Sequence, residues 1–186
     1  MIKEYAYAKI NLALEVKEVR PDHFHEVTNL MIPLELHDTL FFEKIPAGIE
    51  LIDDTKIPKE LNFCYKAALL FLEKYNVQSG VRITLKKIIP QAAGLAGGSS
   101  DASAVLRGLN RLFRAKASLF ELEELASKLG SDMPYCLYQE LSLCTGRGEI
   151  VKTISDAVYK PLKVLLIKPD FGLSTGLIYD NYNYYK

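Results

Sequence analysis

The chain has 186 residues, 49% hydrophobic and 25% charged, with a formal net charge of zero. That is enough chain for a sizeable core, and the neutral balance gives no electrostatic reason to expect nucleic acid or an anionic membrane as partner. No apolar run approaches the roughly 20 residues of a membrane span, and the start MIKEYAYAKINLALEV carries charges inside its apolar stretch and lacks a small-residue cleavage site, unlike a signal peptide.

In chain order, residues 5–16 alternate in part (Tyr7, Ile10, Leu12, Leu14, Val16) and read as a strand. Lys9 falls inside this run. An edge or solvent-facing lysine is the commoner meaning of that pattern, with a cation aimed at a phosphate as the alternative. Arg20-Pro21-Asp22-His23-Phe24-His25-Glu26 is a polar turn marked by Pro21 and Asp22. Val27 to Leu36 reads as a strand ending at His37-Asp38-Thr39. Leu40 to Glu43 is another short strand, and Ile49 to Ile52 a weak one. A helix is expected over about 61–75, with Asn62 as its cap. Val81 to Ile89 returns to a strand.

The segment that follows is Pro90-Gln91-Ala92-Ala93-Gly94-Leu95-Ala96-Gly97-Gly98-Ser99-Ser100-Asp101-Ala102. Beyond it Ala102, Val105, Leu106, Leu109, Leu112 and Phe113 recur at helical spacing. A glycine-rich turn opening into a helix gathers unpaired N–H groups and the positive end of the helix dipole, which is a phosphate site. Ser99 and Ser100 add hydroxyls suited to a cap, a phosphate or Mg²⁺. The plainer alternative is a loop that merely turns the chain.

Leu119 to Leu129 is a second amphipathic helix closed by Gly130. Asp132 then precedes the short segment Tyr135 to Tyr138 and has the composition of a helix N-cap. Leu141 to Cys144 reads as a strand, 145–149 as a turn, and Leu162 to Ile167 as a buried strand. The tail from Thr175 holds Tyr179, Tyr182, Tyr184 and Tyr185. Strands and helices in this order indicate an α+β fold. The widely spaced Cys64, Cys136 and Cys144 form neither a zinc pattern nor a disulfide framework, and a reducing cytoplasm fits them best. His23-x-His25 has no metal-ligating partner at a telling distance.

Several chemistries are excluded by motif. No lysine follows the glycines as in a Walker A loop, no G-x-G-x-x-G is present, no G-x-S-x-G elbow occurs, and the HRD and DFG signatures of protein kinases are absent. Five segments instead resemble, in order, the GHMP superfamily of small-molecule kinases. They are Ala8-Lys9-Ile10-Asn11-Leu12, the turn Arg20 to His25, the loop Ile89 to Ser103, Leu129-Gly130-Ser131-Asp132-Met133-Pro134, and Gly146-Arg147-Gly148-Glu149. Within the superfamily the pattern is most similar to the 4-diphosphocytidyl-2-C-methyl-D-erythritol kinases of isoprenoid precursor synthesis.

The resemblance implies the superfamily's N-terminal domain, of the ribosomal protein S5 domain 2-like fold, over 1–160, and the start of a second domain over 161–186. It implies ATP with Mg²⁺ and a small cytidine diphosphate alcohol as substrate. Asp132 would be the general base, and Lys9 would hold the reacting hydroxyl. ATP would lie on Asn62, Pro90, Gly94, Leu95, Ala96, Gly97, Gly98, Ser99 and Ser100. Asn11, Phe24, His25 and Tyr179 would bind the substrate, Phe24 and Tyr179 on opposite faces of the base. No nucleic-acid or membrane partner is implied, and none of these motifs encodes an oligomeric state.

Three positions that are glycine in the family pattern are His23, Ala92 and Ala96, and a tyrosine position is Phe24. Where the backbone needs positive φ, alanine disfavours it by about 1 kcal/mol or more. Members of the family also continue beyond this length into a third glycine-rich motif. The chain is therefore expected to be a piece of a longer protein or a shortened relative, with nucleotide binding without catalysis as the alternative function.

Overall fold

The structure is a computed structural model and describes residues 1–155, 161–172 and 175–182. Its centre is a pair of long antiparallel strands, β1 (Ile2–Val19) and β2 (His25–Ile45), joined by the polar turn at residue 20 onward. The second half of β2 pairs with β4 (Gly80–Lys86), which pairs in parallel with β3 (Ile49–Ile52). The first half of β2 pairs with β5 (Ser142–Thr145), which continues to β6 (Ile150–Thr153). The sheet order is β3-β4-β2-β5-β6, with β1 on β2.

Four helices complete the body: α1 (Phe63–Lys74), α2 (Gly97–Phe113), α3 (Leu119–Ser127) and α4 (Met133–Tyr138). The α1 helix makes the parallel crossover from β3 to β4. The α2 helix packs over β1 and β2 and against α1 and α4. Leu40, Phe42, Val81 and Ile83 of the sheet face Ala67, Phe71, Leu106 and Leu109 of the helices in one core. Gly108 lets α2 sit tightly on the sheet: a Cβ added there would clash with the Phe42 ring. A short helix, α5 (Thr175–Asn181), follows near the end of the described chain.

The expected cap on α1 is present, with Asn62 Oδ1 accepting from Cys64 N at 2.9 Å. Ser118 and Glu121 form a reciprocal capping box at the start of α3.

Three expectations change. The polar triplet His37-Asp38-Thr39 does not end a strand; β2 runs through it. Asp38 is fully buried, and its carboxylate accepts from the amides of Ile88 and Ile89, so its polarity serves a tertiary bond rather than a turn. The β6 strand was not anticipated, because four residues with alternate exposure give too short a pattern. Leu162 to Ile167 is not a buried strand. Residues 161–169 have no regular structure, and Leu165 and Ile167 are 84% and 86% exposed. An apolar run becomes a strand only beside a partner, and no described strand pairs with it. Tyr184 and Tyr185 lie outside the described residues, as does the expected domain boundary near 160.

Candidate active site

A departure from strand alternation creates the site. The β1–β2 register slips between Tyr7 and Lys9, so that Ala8 and Lys9 are both buried, at 0% and 5% exposure. A bulge of this kind turns a side chain off its expected face. The expectation of an edge or solvent-facing Lys9 is thereby overturned. Its Nζ donates to Asn11 Oδ1 at 3.0 Å and stands 3.5 Å from Asp132 Oδ2. Asp132 occupies the N-cap position of α4, but its side chain makes no capping hydrogen bond. The carboxylate is left to face Lys9, with a side-chain exposure of 40%.

Lys9 also fixes the glycine loop, because its backbone N–H donates to Leu95 O at 3.1 Å. Leu95 packs beneath the loop with Ala8 and Ile89. Ala92, Gly94 and Ala96 have φ of 51°, 71° and 55°, all left-handed. Ala96 is the residue before α2 and offers no side-chain cap. Ser100 N closes the first turn onto Ala96 O at 2.8 Å. Among the described residues, none of the N–H groups of 91–99 donates to another protein group. Ser100 Oγ is buried and has no hydrogen-bond partner. Free amides converging at the head of a 17-residue helix, with an orphaned hydroxyl beside them, suit a polyphosphate. Pro90 and Gly98 are exposed, and Gly97 and Ser99 partly so.

Asn62 lies close by through its neighbour: a Cβ on Gly98 would touch Phe63 at 3.5 Å. The Asn62 amide is itself engaged, capping α1 through Oδ1 and donating to Asp53 Oδ2 at 3.0 Å.

Beneath the loop lies a cluster that sequence reasoning missed. Lys87 Nζ donates to Asp38 Oδ2 at 2.5 Å and to Asp101 Oδ2 at 2.7 Å, and all three side chains are at most 11% exposed. Burial pushes the Asp101 carboxyl up to about 7, against the opposing pull of Lys87. The Lys87 ammonium is itself raised, the two carboxylates outweighing its burial. The signal was available: Asp101 stands four residues before Val105 and eight before Leu109, on the apolar stripe of α2.

The other end of the site is aromatic. His25 is 8% exposed, with Nδ1 3.1 Å from Lys17 O. Tyr179 from α5 stacks against it, ring centroids 5.6 Å apart and planes at 31°. Tyr182 meets the same ring edge-on at 6.2 Å. Burial, then the nearby Asp132 carboxylate, raises the Tyr179 phenol. Phe24 is 49% exposed, and the Arg147 guanidinium lies 4.8 Å over its ring. Lys9, Asn11, Asp132 and the loop are thus brought to one place, and His25 and Tyr179 to another. The 145–149 turn lies between the two ends: a Cβ on Gly148 would be 4.0 Å from Asp132 Oδ1, and the Arg147 guanidinium lies over Phe24. A Cβ on Gly172 would lie 3.0 Å from Ala92 Cβ, so Gly172 lies against the loop.

Residues 62–140 match the family described as the GHMP kinases N terminal domain. A curated 4-diphosphocytidyl-2-C-methyl-D-erythritol kinase of Macrococcus caseolyticus is 47% identical over 184 residues, covering 96% of this chain and 64% of that protein. Residues 62–140 therefore carry a GHMP kinase N-terminal domain. A Bacillus velezensis protein of the same name is 44% identical over 185 residues, covering 98% of this chain and 63% of its own length. The chain therefore spans just under two thirds of the length of these relatives. A solved 4-(cytidine 5'-diphospho)-2C-methyl-D-erythritol kinase superposes with a TM-score of 0.73 at 38% identity, over 82% of this chain and 55% of that one. A mevalonate kinase at 14% identity and a TM-score of 0.64 shares the fold. No described helix is long and apolar enough to cross a membrane.

Proposed function

We propose that this chain carries the donor loop and the catalytic pair of an ATP-dependent kinase that phosphorylates a hydroxyl of 4-diphosphocytidyl-2-C-methyl-D-erythritol. The observation that carries the reading is the Lys9–Asp132 pair at 3.5 Å, tied through the Lys9 backbone to a loop of free amides. Phosphoryl transfer needs positioning and charge stabilisation more than covalent chemistry. Asp132 accepts the proton of the attacking hydroxyl. Lys9 orients that hydroxyl beside Asp132, and Asn11 holds Lys9. The amides of Gly94 to Ser99 and the positive end of α2 take the ATP phosphates. Ser99 and Ser100 supply hydroxyls for the phosphates or for Mg²⁺, which neutralises phosphate charge when bound. Asn62 and Pro90 border the nucleotide, while Phe24, His25 and Tyr179 receive the cytidine. Residues 1–160 form the N-terminal kinase domain and 161–186 the beginning of a second. The cytoplasm, a reducing compartment, suits three free buried thiols.

The test incubates the chain with ATP, Mg²⁺ and the diphosphocytidyl substrate and follows ADP release. Asp132→Asn is expected to lower kcat by roughly a hundredfold or more while leaving ATP-induced thermal stabilisation intact. Stabilisation by ATP without ADP release above the Asp132→Asn background would identify a nucleotide-binding relative without catalysis.

A further inference from the structure

Between the two ends of the site runs the turn that joins β5 to β6, and its fixation is unusually complete. Gly146 N donates to Glu26 Oε1 at 2.9 Å, and Gly146 O accepts from Val27 N at 2.8 Å. Glu26 Oε2 takes the Arg20 guanidinium at 2.6 Å. Arg147 N donates to Glu149 Oε2 at 2.6 Å. The backbone of Arg147 is therefore held while its side chain reaches back over Phe24.

That side chain is only 27% exposed, yet among the described residues its guanidinium makes no hydrogen bond. Its Nε forms a long ion pair with Glu149 Oε1 at 3.8 Å, and the two terminal nitrogens of the fork make no hydrogen bond among the described residues. Desolvation raises the Asp22 carboxyl, but the Phe24 amide and Arg20 together outweigh it, and Arg147 adds a smaller lowering that places it within electrostatic reach. The other nearby cations are committed: Lys9 to Asn11 and Asp132, Arg20 to Glu26 and Asp22, Lys17 to Glu15. A planar fork with free donors, aimed by stacking on an aromatic ring, suits bidentate binding of a phosphate.

We propose that Arg147 binds the diphosphate of the cytidine diphosphate ligand, making it a substrate-binding residue additional to those for the base and the reacting hydroxyl. The proposal rests on the reading that the aromatic end takes cytidine and the Asp132 end takes the alcohol. A ligand spanning those ends carries its diphosphate between them. The turn that spans the same interval comes near Asp132 at Gly148, where an added Cβ would be 4.0 Å from Oδ1, and meets Phe24 through Arg147.

The experiment is calorimetric titration of the 186-residue chain with cytidine and with cytidine diphosphate, in wild type, Arg147→Gln and Arg147→Lys. Wild type is expected to prefer the diphosphate by about tenfold or more, as for hydrogen bonds to a charged group. Arg147→Gln removes that preference and leaves cytidine affinity within about twofold, and Arg147→Lys is intermediate. An unchanged preference in Arg147→Gln overturns the proposal. So does an equal loss for both ligands, which would make Arg147 a mere support for Phe24. Should Arg147→Gln fail to fold, Arg147→Met keeps the apolar stem on the ring and reads the same ratio. No binding of either ligand by wild type overturns the parent reading together with this one. An Arg147-dependent preference in a chain without turnover upholds this proposal while the kinase reading falls.

Discussion

Ala96 holds a left-handed backbone, φ 55° and ψ 27°, immediately before α2. Its N–H belongs to the free set, so the conformation serves the direction of that amide. His23 holds the same region, φ 64°, in the turn before Phe24. Each L-residue there costs about 1–2 kcal/mol that glycine avoids, while glycine loses about 0.5–1 kcal/mol more chain entropy on folding. Ala96→Gly and His23→Gly are each expected to stabilise by a net of about 0.5–1 kcal/mol, read as a higher urea midpoint at unchanged slope. A lower midpoint for Ala96→Gly would mean that its methyl packing outweighs the backbone gain.

Among the elements, α2 joins the donor loop to the core. Its seat on β2 is Gly108 over Phe42, where an added methyl would lie 2.4 Å from the ring. Gly108→Ala must lift the helix or rotate Phe42. Overpacking of this kind costs about 1–3 kcal/mol, despite the better helix propensity of alanine. Thermal unfolding followed by circular dichroism checks this, and a stabilised Gly108→Ala would show that Phe42 repacks freely. The same helix shows what the sequence made legible. Its stripe, the capped start of α1 at Asn62 and the loop ahead of Gly97 were readable because helical periodicity and glycine chemistry are local. The burial of Lys9 was not, because a bulge is a property of two strands in register. Nor was the continuity of β2 through Asp38, since the groups that satisfy that carboxylate come from residues 87–89. The exposed run at 162–167 reads as a strand by composition alone, and pairing is what composition leaves out.

At the scale of the whole molecule, the Asp38–Lys87–Asp101 cluster links stability to pH. It joins β2, the segment after β4 and α2, with the Cys64 thiol also facing Asp101. The Asp101 carboxyl is raised from 3.8 to about 7 in the fold. Between those values the folded chain binds more protons than the unfolded chain, so this group's contribution falls as pH rises through the window and is level above it. Asp101→Asn removes the titration and keeps an acceptor for Lys87. The decline of the wild-type unfolding midpoint from pH 5 to 8 is expected to flatten in Asp101→Asn. An identical decline in both would place the pH response elsewhere.

The slipped register at Lys9 has a mechanical consequence. The backbone of this residue holds the glycine loop and its side chain meets Asp132, so the loop and the carboxylate share a single anchor. A thermal displacement of β1 is then common to both, and the gap between loop and carboxylate is preserved to first order. Breathing of the sheet carries the site along without opening it. The contact across to Asp132 is set from the other side by α4, which α2 pins through Ser103 to Met133 O and Arg107 to Cys136 O.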